Sequence, residues 1–183
     1  MPIPYFARLL ATIVPTVAPA PIVEVLFSPR GGCTERAVLE ISKATTAIRV
    51  QAYAFTSRPI ADALMAAHGR GVDVRIILDR SMIYSKFSEG RDCEAAGIEV
   101  TYDRSHPIAH AKNILIDGKV TIGGSFNYSA NASINSENMT IISSPTIADI
   151  FLANWDVHRI HAKPFDPKTD TKLGYSEDIV DMF

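Results

Sequence analysis

The chain has 183 residues and a formal net charge of −2, with 47% hydrophobic and 21% charged residues. That length fits one domain with a short appendage at each end, and the composition is ordinary for a globular protein with a core. The near-neutral charge excludes a strongly basic coat of the kind that packages DNA, but it permits a local cationic cleft.

The first 21 residues differ in composition from the rest. A single arginine, Arg8, precedes an apolar run over residues 9–14, and a proline-rich stretch follows that ends in Ala-Pro-Ala-Pro. This order resembles a secretory signal, although the prolines inside it and just after the cleavage position fit such a signal poorly. The apolar run is too short to cross a bilayer as a helix. Residues 1–21 are therefore either a signal for export to the periplasm or beyond, or the N-terminal arm of a cytoplasmic protein.

Apolar runs and helical patterns alternate through the first half of the chain. Strands are predicted over residues 22–27, 48–55, 72–78 and 98–102. Helical spacing predicts three helices between them, the first capped by Thr34, the second over residues 58–67 and the third ending before Gly97. The third strand is apolar almost throughout, as expected when both faces of a sheet are covered. This β-α-β-α-β-α-β order predicts an α/β domain whose sheet is flanked by helices on both faces.

The second half of the chain changes to a hairpin pattern, which makes the expected sheet mixed. Strands are predicted over residues 113–116, 120–122 and 139–142. The first two are separated by Asp117-Gly118, a strong signal for a tight turn. Apolar residues at helical spacing then predict a helix over residues 146–161 that packs on the sheet, with Phe151 and Trp155 in the core. We expect one domain over residues 22–163 and an exposed C-terminal extension over residues 164–183.

The cysteine and histidine patterns predict neither a metal site nor a cofactor. Cys33 and Cys93 are 60 positions apart and form no CxxC pair. A disulfide in an oxidising compartment and two free buried thiols are both compatible with this spacing. The segment from His106 to His110 contains a proline and has no cysteine near it, which is unlike a zinc site. We interpret His106 as a structural residue.

Four polar residues follow a strand-like spacing in the second half. Residues two apart on a strand point to the same face, so His110 and Lys112 project together, as do Ser125 and Asn127. If Asp117-Gly118 forms a two-residue turn, the register places Ser125 opposite His110 and brings both pairs onto one patch of a sheet face. A three-residue turn would shift the register and move one pair to the other face.

This set of side chains suits the chemistry of a phosphodiester. An imidazole near neutral pH acts as a nucleophile or base, and an imidazolium acts as an acid. A lysine is a compact cation for a phosphate oxygen, and the hydroxyl and amide add hydrogen bonds as charge develops on phosphorus. No cluster of carboxylates with metal-ligand spacing accompanies these residues in the sequence. The pattern therefore predicts a phosphodiesterase that works without a metal ion.

The same residues resemble the HKD motif of the phospholipase D superfamily. The match runs from His110-x-Lys112 through Asp117 to Gly124-Ser125-x-Asn127, and the Asn-Ser-Glu-Asn stretch containing Glu137 resembles the segment that follows it in small bacterial endonucleases of that superfamily. Further similarity lies in the VQAYAF and GVDVRIILD stretches, so the resemblance covers roughly residues 22–161. It implies the fold of that superfamily, a phospholipase D-like sandwich.

The resemblance also implies a role for each residue. His110 would attack phosphorus and form a phosphohistidine, while Lys112 and Asn127 would hold the phosphoryl oxygens with help from Ser125. Glu137 would accept a hydrogen bond from the His110 ring and fix its tautomer. The odd offset of Asp117 from His110 points its side chain to the other strand face, so we interpret Asp117 as a turn and scaffold residue, with Gly124 as a structural member of the motif.

The chain has one copy of the motif, whereas in-line displacement needs two histidines. Short members of this superfamily solve the problem as homodimers, so the resemblance implies two copies that share one site across a two-fold axis. One His110 would then be the nucleophile, and its twin would be the acid for the leaving oxygen and later the base for water. The two rings would titrate as a coupled pair.

The sequence is compatible with three functions. The first is an endonuclease without sequence preference that acts on DNA or RNA, because contacts to the phosphate backbone position a substrate without specifying its sequence. The second is a phosphodiesterase for phospholipid or cardiolipin, held at a membrane by the N-terminal arm. The third is an inactive scaffold or binding module, which the complete motif disfavours. Tyr53, Phe55 and Arg80 either rim the cleft or pack in the core.

Overall fold

Seven strands form one mixed sheet in the computed structural model, which describes residues 20–170. Their order across the sheet is β1-β7-β6-β5-β2-β3-β4. The elements in chain order are β1 (Ile22–Ser28), α1 (Cys33–Ser42), β2 (Ala47–Ala52), α2 (Arg58–Gly69), β3 (Asp73–Asp79), α3 (Gly90–Ala95), β4 (Glu99–Asp103), β5 (Lys112–Ile116), β6 (Val120–Gly124), β7 (Glu137–Ser143) and α4 (Pro145–His161). Strands β2, β3 and β4 are parallel, and β5 pairs with β2 in the antiparallel sense.

The two faces of the sheet are covered by different helices. Ile76 of β3 and Ile114 of β5 pack in one core cluster with residues of α1 and α2. Ile77 and Leu115, the next residue along each of these strands, face the other way and pack with Trp155 of α4. The indole N–H of Trp155 donates to the carbonyl of Val50 at 3.0 Å, which fixes the helix on β2. The predicted α/β fold with a mixed sheet between helices is therefore confirmed.

The start of α1 differs from the prediction. The residue before the helix is Gly32, with φ 70°, and Thr34 lies inside the first turn rather than at the cap. The Thr34 hydroxyl instead shares a hydrogen bond of 3.2 Å with the hydroxyl of Ser133. Glycine adopts this left-handed conformation without steric cost, so the helix begins without a side-chain cap.

The β5–β6 hairpin has a longer loop than predicted. Asp117 and Gly118 both have positive φ, 53° and 62°, and the N–H of Lys119 donates to the Ile116 carbonyl at 2.9 Å. These features are those of a type I′ turn. The ladder nevertheless pairs Ile116 with Val120, so Lys119 belongs to the loop and the connection has three residues. The predicted two-residue register was wrong, and Ser125 does not lie opposite His110.

Both cysteines are buried free thiols, which decides between the two possibilities left by the sequence. Cys33 and Cys93 belong to the core cluster on the α1 and α2 face of the sheet. Burial, with nearby carboxylates adding a smaller effect, raises the pKa of the Cys93 thiol to about 12. The thiolate of Cys93 is therefore not populated at neutral pH.

The start of the C-terminal extension is fastened to the domain. Lys163 forms an antiparallel bridge with Tyr102 at the edge of β4. The guanidinium of Arg104 donates to the carbonyls of Lys163 and Pro164 at 2.9 and 3.1 Å and pairs with the carboxylate of Asp170. The predicted N-terminal segment lies outside the described residues except for its last two, and so does the end of the extension. None of the helices within residues 20–170 is long and apolar enough to cross a membrane.

Candidate active site

The predicted site residues meet where three neighbouring strands begin or end. His110 lies two residues before β5, Ser125 follows the last residue of β6, and Glu137 is the first residue of β7. These strands are adjacent in the sheet, with β5 as the fourth of seven. The side chains therefore converge at one end of these three strands. They do not lie on one face of the sheet, as the two-residue register had suggested.

The imidazole of His110 is exposed and lies against an aromatic ring. The ring centroids of Tyr53 and His110 are 4.5 Å apart at an angle of 56°. Partial desolvation of the ring, and then the positive charge of Lys112, lower the pKa of His110 below its usual value, while the carboxylate of Asp79 opposes them. His110 is therefore mostly neutral at pH 7, which is the state a nucleophile needs.

Lys112 is a buried cation, with only 5% of its surface exposed. Its ammonium group donates to the backbone carbonyl of His110 at 2.8 Å and lies 5.0 Å from the centroid of the Tyr53 ring. Burial lowers the pKa of Lys112 to about 8, against a smaller opposing effect of the Glu137 carboxylate. A positive charge that is shielded from solvent in this way interacts strongly with any anion that reaches it.

Ser125 and Glu137 form the other half of the site. The Ser125 hydroxyl donates to Glu137 Oε2 at 2.6 Å and accepts from the N–H of Asn138 at 3.0 Å. The amide of Asn135 reaches Glu137 Oε1 at 3.5 Å. The backbone N–H of Glu137 donates to the Ser28 hydroxyl at 3.2 Å. These bonds hold Ser125 and the Glu137 carboxylate in place where β6 ends and β7 begins.

One predicted contact is missing from this arrangement. The hydrogen bonds of Glu137 go to Ser125 and Asn135, and none joins it to His110 among the described residues of this one chain. Asn127 lies just beyond Ser125, and its side-chain oxygen is buried without a hydrogen-bond partner in the described part of the chain. Leaving such an atom unpaired in a buried position costs free energy.

Asp117 and Gly124 shape the backbone, and Asp117 lies apart from the reacting groups. The Asp117 carboxylate accepts bonds from the N–H groups and hydroxyls of Thr45 and Thr46 at 2.8–2.9 Å, and from the Ala47 N–H at 3.0 Å. Asp117 is five residues along β5 from Lys112, or about 16 Å. Gly124 has φ 138°, and a Cβ atom there would lie 2.4 Å from the carbonyl oxygen of Asn138.

Asp79 and Tyr53 bear on His110 more directly than the sequence indicated. The buried carboxylate of Asp79 accepts from the N–H of Ala109 at 2.7 Å and from that of Ser81 at 2.9 Å. Its place at the carboxyl end of a parallel strand was the available signal, because functional residues gather at that edge of α/β sheets. Phe55 is fully buried and packs in the core, while Arg80 reaches the carbonyl of Pro107 at 3.5 Å.

Beside His110 and Lys112 the site offers the carboxylate of Glu137, while that of Asp79 is engaged by two backbone N–H groups. This is a poor ligand set for a metal ion. Within residues 20–170, the one group of side chains spaced to share a metal ion lies elsewhere, at Asp103, His106, His158 and His161. What the site can do is attack phosphorus with a neutral imidazole, with a desolvated ammonium close by for the developing charge.

Comparison with known proteins relates this site to a family. A family model described as a cardiolipin synthase, PLD-like domain matches residues 38–157. The phospholipase D of Rickettsia conorii is 43% identical over 134 residues, which are 73% of this chain and 67% of that protein. A mitochondrial cardiolipin hydrolase of Chlamydomonas reinhardtii is 32% identical over 117 residues, which are 63% of this chain and 52% of that protein.

A solved structure has the same fold. The crystal structure of Nuc, a phospholipase D family member from Salmonella typhimurium, matches with a TM-score of 0.77 at 35% sequence identity. The match covers 80% of this chain and 99% of Nuc. Sequence, fold and family model agree over the strands that carry the candidate site. The chain therefore belongs to the phospholipase D superfamily and is a hydrolase of phosphodiester bonds.

Proposed function

We propose that the chain is an endonuclease that cleaves DNA without strong sequence preference, with RNA as a second substrate. One observation carries this proposal: the match to Nuc extends over 99% of that protein, at 35% identity. The chain also resembles the small single-motif bacterial endonucleases in its Asn-Ser-Glu-Asn segment around Glu137. A site that grips phosphates and does not read bases binds in a strongly salt-dependent way, because binding releases counterions.

In the proposed reaction, a ring nitrogen of His110 attacks phosphorus and the bond from phosphorus to the leaving oxygen breaks. A phosphohistidine forms, and water then hydrolyses it to release the phosphate end and restore the ring. Lys112 and Asn127 hold the phosphoryl oxygens, and Ser125 assists them. The lowered pKa of His110 supports its role as the attacking group, because the neutral ring is the nucleophilic form.

The leaving oxygen needs a proton, which we assign to the His110 of a second copy in a homodimer. Exposed apolar side chains beside the site support an interface there: Ile108, two residues before His110, is 58% exposed, and Ile134, three residues before Glu137, is 74% exposed. Because no hydrogen bond joins the side chains of Glu137 and His110 within one chain, we assign the predicted Glu137–His110 hydrogen bond to the contact between the two copies. Mixed dimers with one His110→Ala copy should then lose turnover along with the pure variant.

A lipid phosphodiesterase is the second candidate. Two of the relatives are named for lipid substrates, a phospholipase D at 43% identity and a mitochondrial cardiolipin hydrolase at 32%. The same chemistry serves both substrates, since each presents a phosphodiester to the attacking histidine. The candidates therefore differ in what surrounds the phosphate, and a substrate panel separates them.

The experiment measures cleavage of plasmid DNA, single-stranded DNA, RNA and vesicles of cardiolipin or phosphatidylcholine by the purified full chain. Brief treatment with excess EDTA tests independence from a freely exchanging metal ion. His110→Ala is the inactive variant, and His68→Ala, a histidine on α2 away from the site, is the matched control. A phosphohistidine that is labile in acid and missing from His110→Ala would establish the covalent step.

Nucleic acid cleavage that survives EDTA and disappears only in His110→Ala supports the nuclease proposal. Lipid turnover with intact nucleic acid assigns the chain to the lipid branch with the same site. Full activity of His110→Ala on every substrate would overturn the assignment of the nucleophile.

A further inference from the structure

Four side chains outside the active site converge on one point. Asp103 Oδ2 lies 2.9 Å from His106 Nδ1, 3.2 Å from His158 Nδ1 and 3.1 Å from His161 Nε2. One potential ligand atom from each of the four residues lies within 4.8 Å of all the others. The sequence alone pairs His106 only with His110, four residues away, and predicts a structural role for His106.

The fold brings these residues together from two distant parts of the chain. Asp103 is the last residue of β4, and His106 lies in the loop that follows it. His158 and His161 lie on the last turn of α4, and their spacing of three residues places both on the same side of that helix. Asp103 is fully buried, whereas the side chains of His106, His158 and His161 are 45%, 20% and 27% exposed. Solvent therefore has access to the cluster from the histidine side.

Hydrogen bonding to the carboxylate alone explains this arrangement poorly. Asp103 Oδ1 already accepts from the backbone N–H groups of Ser105 and His106, at 2.9 and 3.3 Å. Three rings therefore crowd the one remaining oxygen, with centroids 5.1–5.4 Å apart. Even when every ring is neutral, three N–H donors exceed the two lone pairs of that oxygen. A divalent ion removes the conflict, because neutral imidazoles and a carboxylate then all act as donors of lone pairs.

The three distances from the Asp103 carboxylate are close to those of a tetrahedral metal site. With bonds of roughly 2.0–2.1 Å to zinc, neighbouring ligand atoms of a tetrahedron lie roughly 3.4 Å apart. The three distances from Asp103 Oδ2, 2.9–3.2 Å, are within a few tenths of an ångström of that spacing. Three imidazole nitrogens with one carboxylate oxygen favour zinc over calcium or magnesium, which prefer sites made of oxygen.

We propose that Asp103, His106, His158 and His161 form a structural zinc site that ties the end of α4 to the loop carrying His110. Four protein ligands complete the coordination of zinc, which is the arrangement of structural sites and not of catalytic ones. His106 is four residues from His110, so the ion anchors one end of the loop whose other end carries the nucleophile. The Asp79–Ala109 hydrogen bond anchors that other end.

The test uses the full chain, purified without a metal-affinity tag and freed of metal by dialysis against a strong chelator. Addition of zinc should restore about one ion per chain by elemental analysis, and cobalt in its place should give the intense visible absorption of a tetrahedral site. Zinc should also raise Tm by roughly several degrees, because a ligand that binds only the folded state stabilises it. The variants His158→Gln and His161→Gln should each weaken zinc binding at least tenfold, while His68→Gln should bind zinc like the wild type.

Each outcome decides the proposal without reference to substrate. A wild-type chain that takes up no zinc and shows no change in Tm overturns it, as does unchanged zinc affinity in both helix variants. Should one variant fail to fold, the stoichiometry, the cobalt spectrum and the Tm of the wild type still give the answer. Cleavage of nucleic acid or of lipid is measured separately. The zinc test therefore remains valid even if the proposed nuclease function is wrong.

Discussion

The buried carboxylate of Asp79 accepts a hydrogen bond of 2.7 Å from the backbone N–H of Ala109, the residue directly before His110. The same carboxylate raises the pKa of His110, whereas desolvation of the ring and the charge of Lys112 lower it. Asp79 thus fixes the position of the backbone that carries the nucleophile and moderates the charge on its ring. It acts on His110 through the chain and through its field, and so it is a positioning residue.

Asp79→Asn should shift the His110 titration to lower pH, because removing a nearby negative charge disfavours the imidazolium. It should also lower the free energy of unfolding by about 1–3 kcal/mol, since an amide nitrogen then faces a backbone N–H in a buried site. Proton NMR of the His110 ring measures the first effect, and denaturant unfolding measures the second. Asp149→Asn, an exposed change on α4, is the control that should move neither. An unchanged His110 titration in Asp79→Asn would contradict the assignment.

Lys112→Met should abolish turnover and yet stabilise the protein at pH 7, by about 1–3 kcal/mol, because a buried charge is replaced by an apolar side chain of similar length. Activity at neutral pH and the midpoint of urea unfolding measure the two effects. A variant that lost both activity and stability would show that the ammonium group is structural.

The stabilisation by Lys112→Met should shrink as the pH rises. The folded state releases the Lys112 proton near pH 8, whereas the unfolded chain keeps it to near the usual value of 10.5. Between these values the unfolded state binds more protons, so the wild type gains stability with rising pH and the variant does not. The unfolding curves of the wild type and the variant should therefore lie closer together at pH 10 than at pH 7.

Asp117→Ala should destabilise the fold by about 2–4 kcal/mol and leave kcat nearly unchanged, because its carboxylate anchors the β5–β6 turn to residues 45–47 far from His110. Burial alone would raise the pKa of Asp117, but the backbone hydrogen bonds from Ala47, Thr46 and Thr45 hold it well below its usual range. The stability that this carboxylate supplies is present above about pH 5 and is lost as the pH falls. The gap in Tm between wild type and variant should therefore narrow in acid, and a large fall in kcat would contradict the scaffold role.

Gly124→Ala should destabilise the protein by about 2–4 kcal/mol and reduce activity, because the new methyl group would meet the Asn138 carbonyl at 2.4 Å where β6 leads into Ser125. Gly69→Ala is the matched control: it lies at the end of α2 and its Cβ would meet nothing within 4 Å. That change should be neutral or stabilise the fold by about 0.5–1 kcal/mol, since alanine favours the helix. Tm and plasmid cleavage for both variants make the comparison, and equal stability of the two would refute the close approach.

The order of the strands and helices followed from local patterns in the sequence. Alternating apolar runs predicted the parallel strands, and helical spacing predicted that Phe151 and Trp155 lie in the core, where the structure has Trp155 buried and Phe151 packed against it. Such patterns report which face of an element is apolar, and that information is contained in neighbouring residues. The chemistry-bearing stretch from His110 to Glu137 was recognisable for the same reason, because its members are close in sequence.

What the sequence did not predict depends on approaches between distant segments. The hairpin register was wrong at a turn that is bonded to a distant strand: the N–H of Asp117 donates to the Ala47 carbonyl, and Lys119 lies in the loop. The contact of Asp79 with Ala109 spans 30 positions, and that of Asp103 with His161 spans 58. No periodicity connects residues so far apart, so only the three-dimensional fold reveals these contacts.

Strand β5 is the middle strand of seven and is hydrogen-bonded to a neighbour along each edge. Fraying at the outer strands β1 and β4 would have to pass through two further strands on either side before it reached β5. Amide hydrogens in the middle of such a sheet exchange with solvent mainly through global unfolding. The amide hydrogens of β5, which begins at Lys112, should therefore exchange only when the whole sheet unfolds.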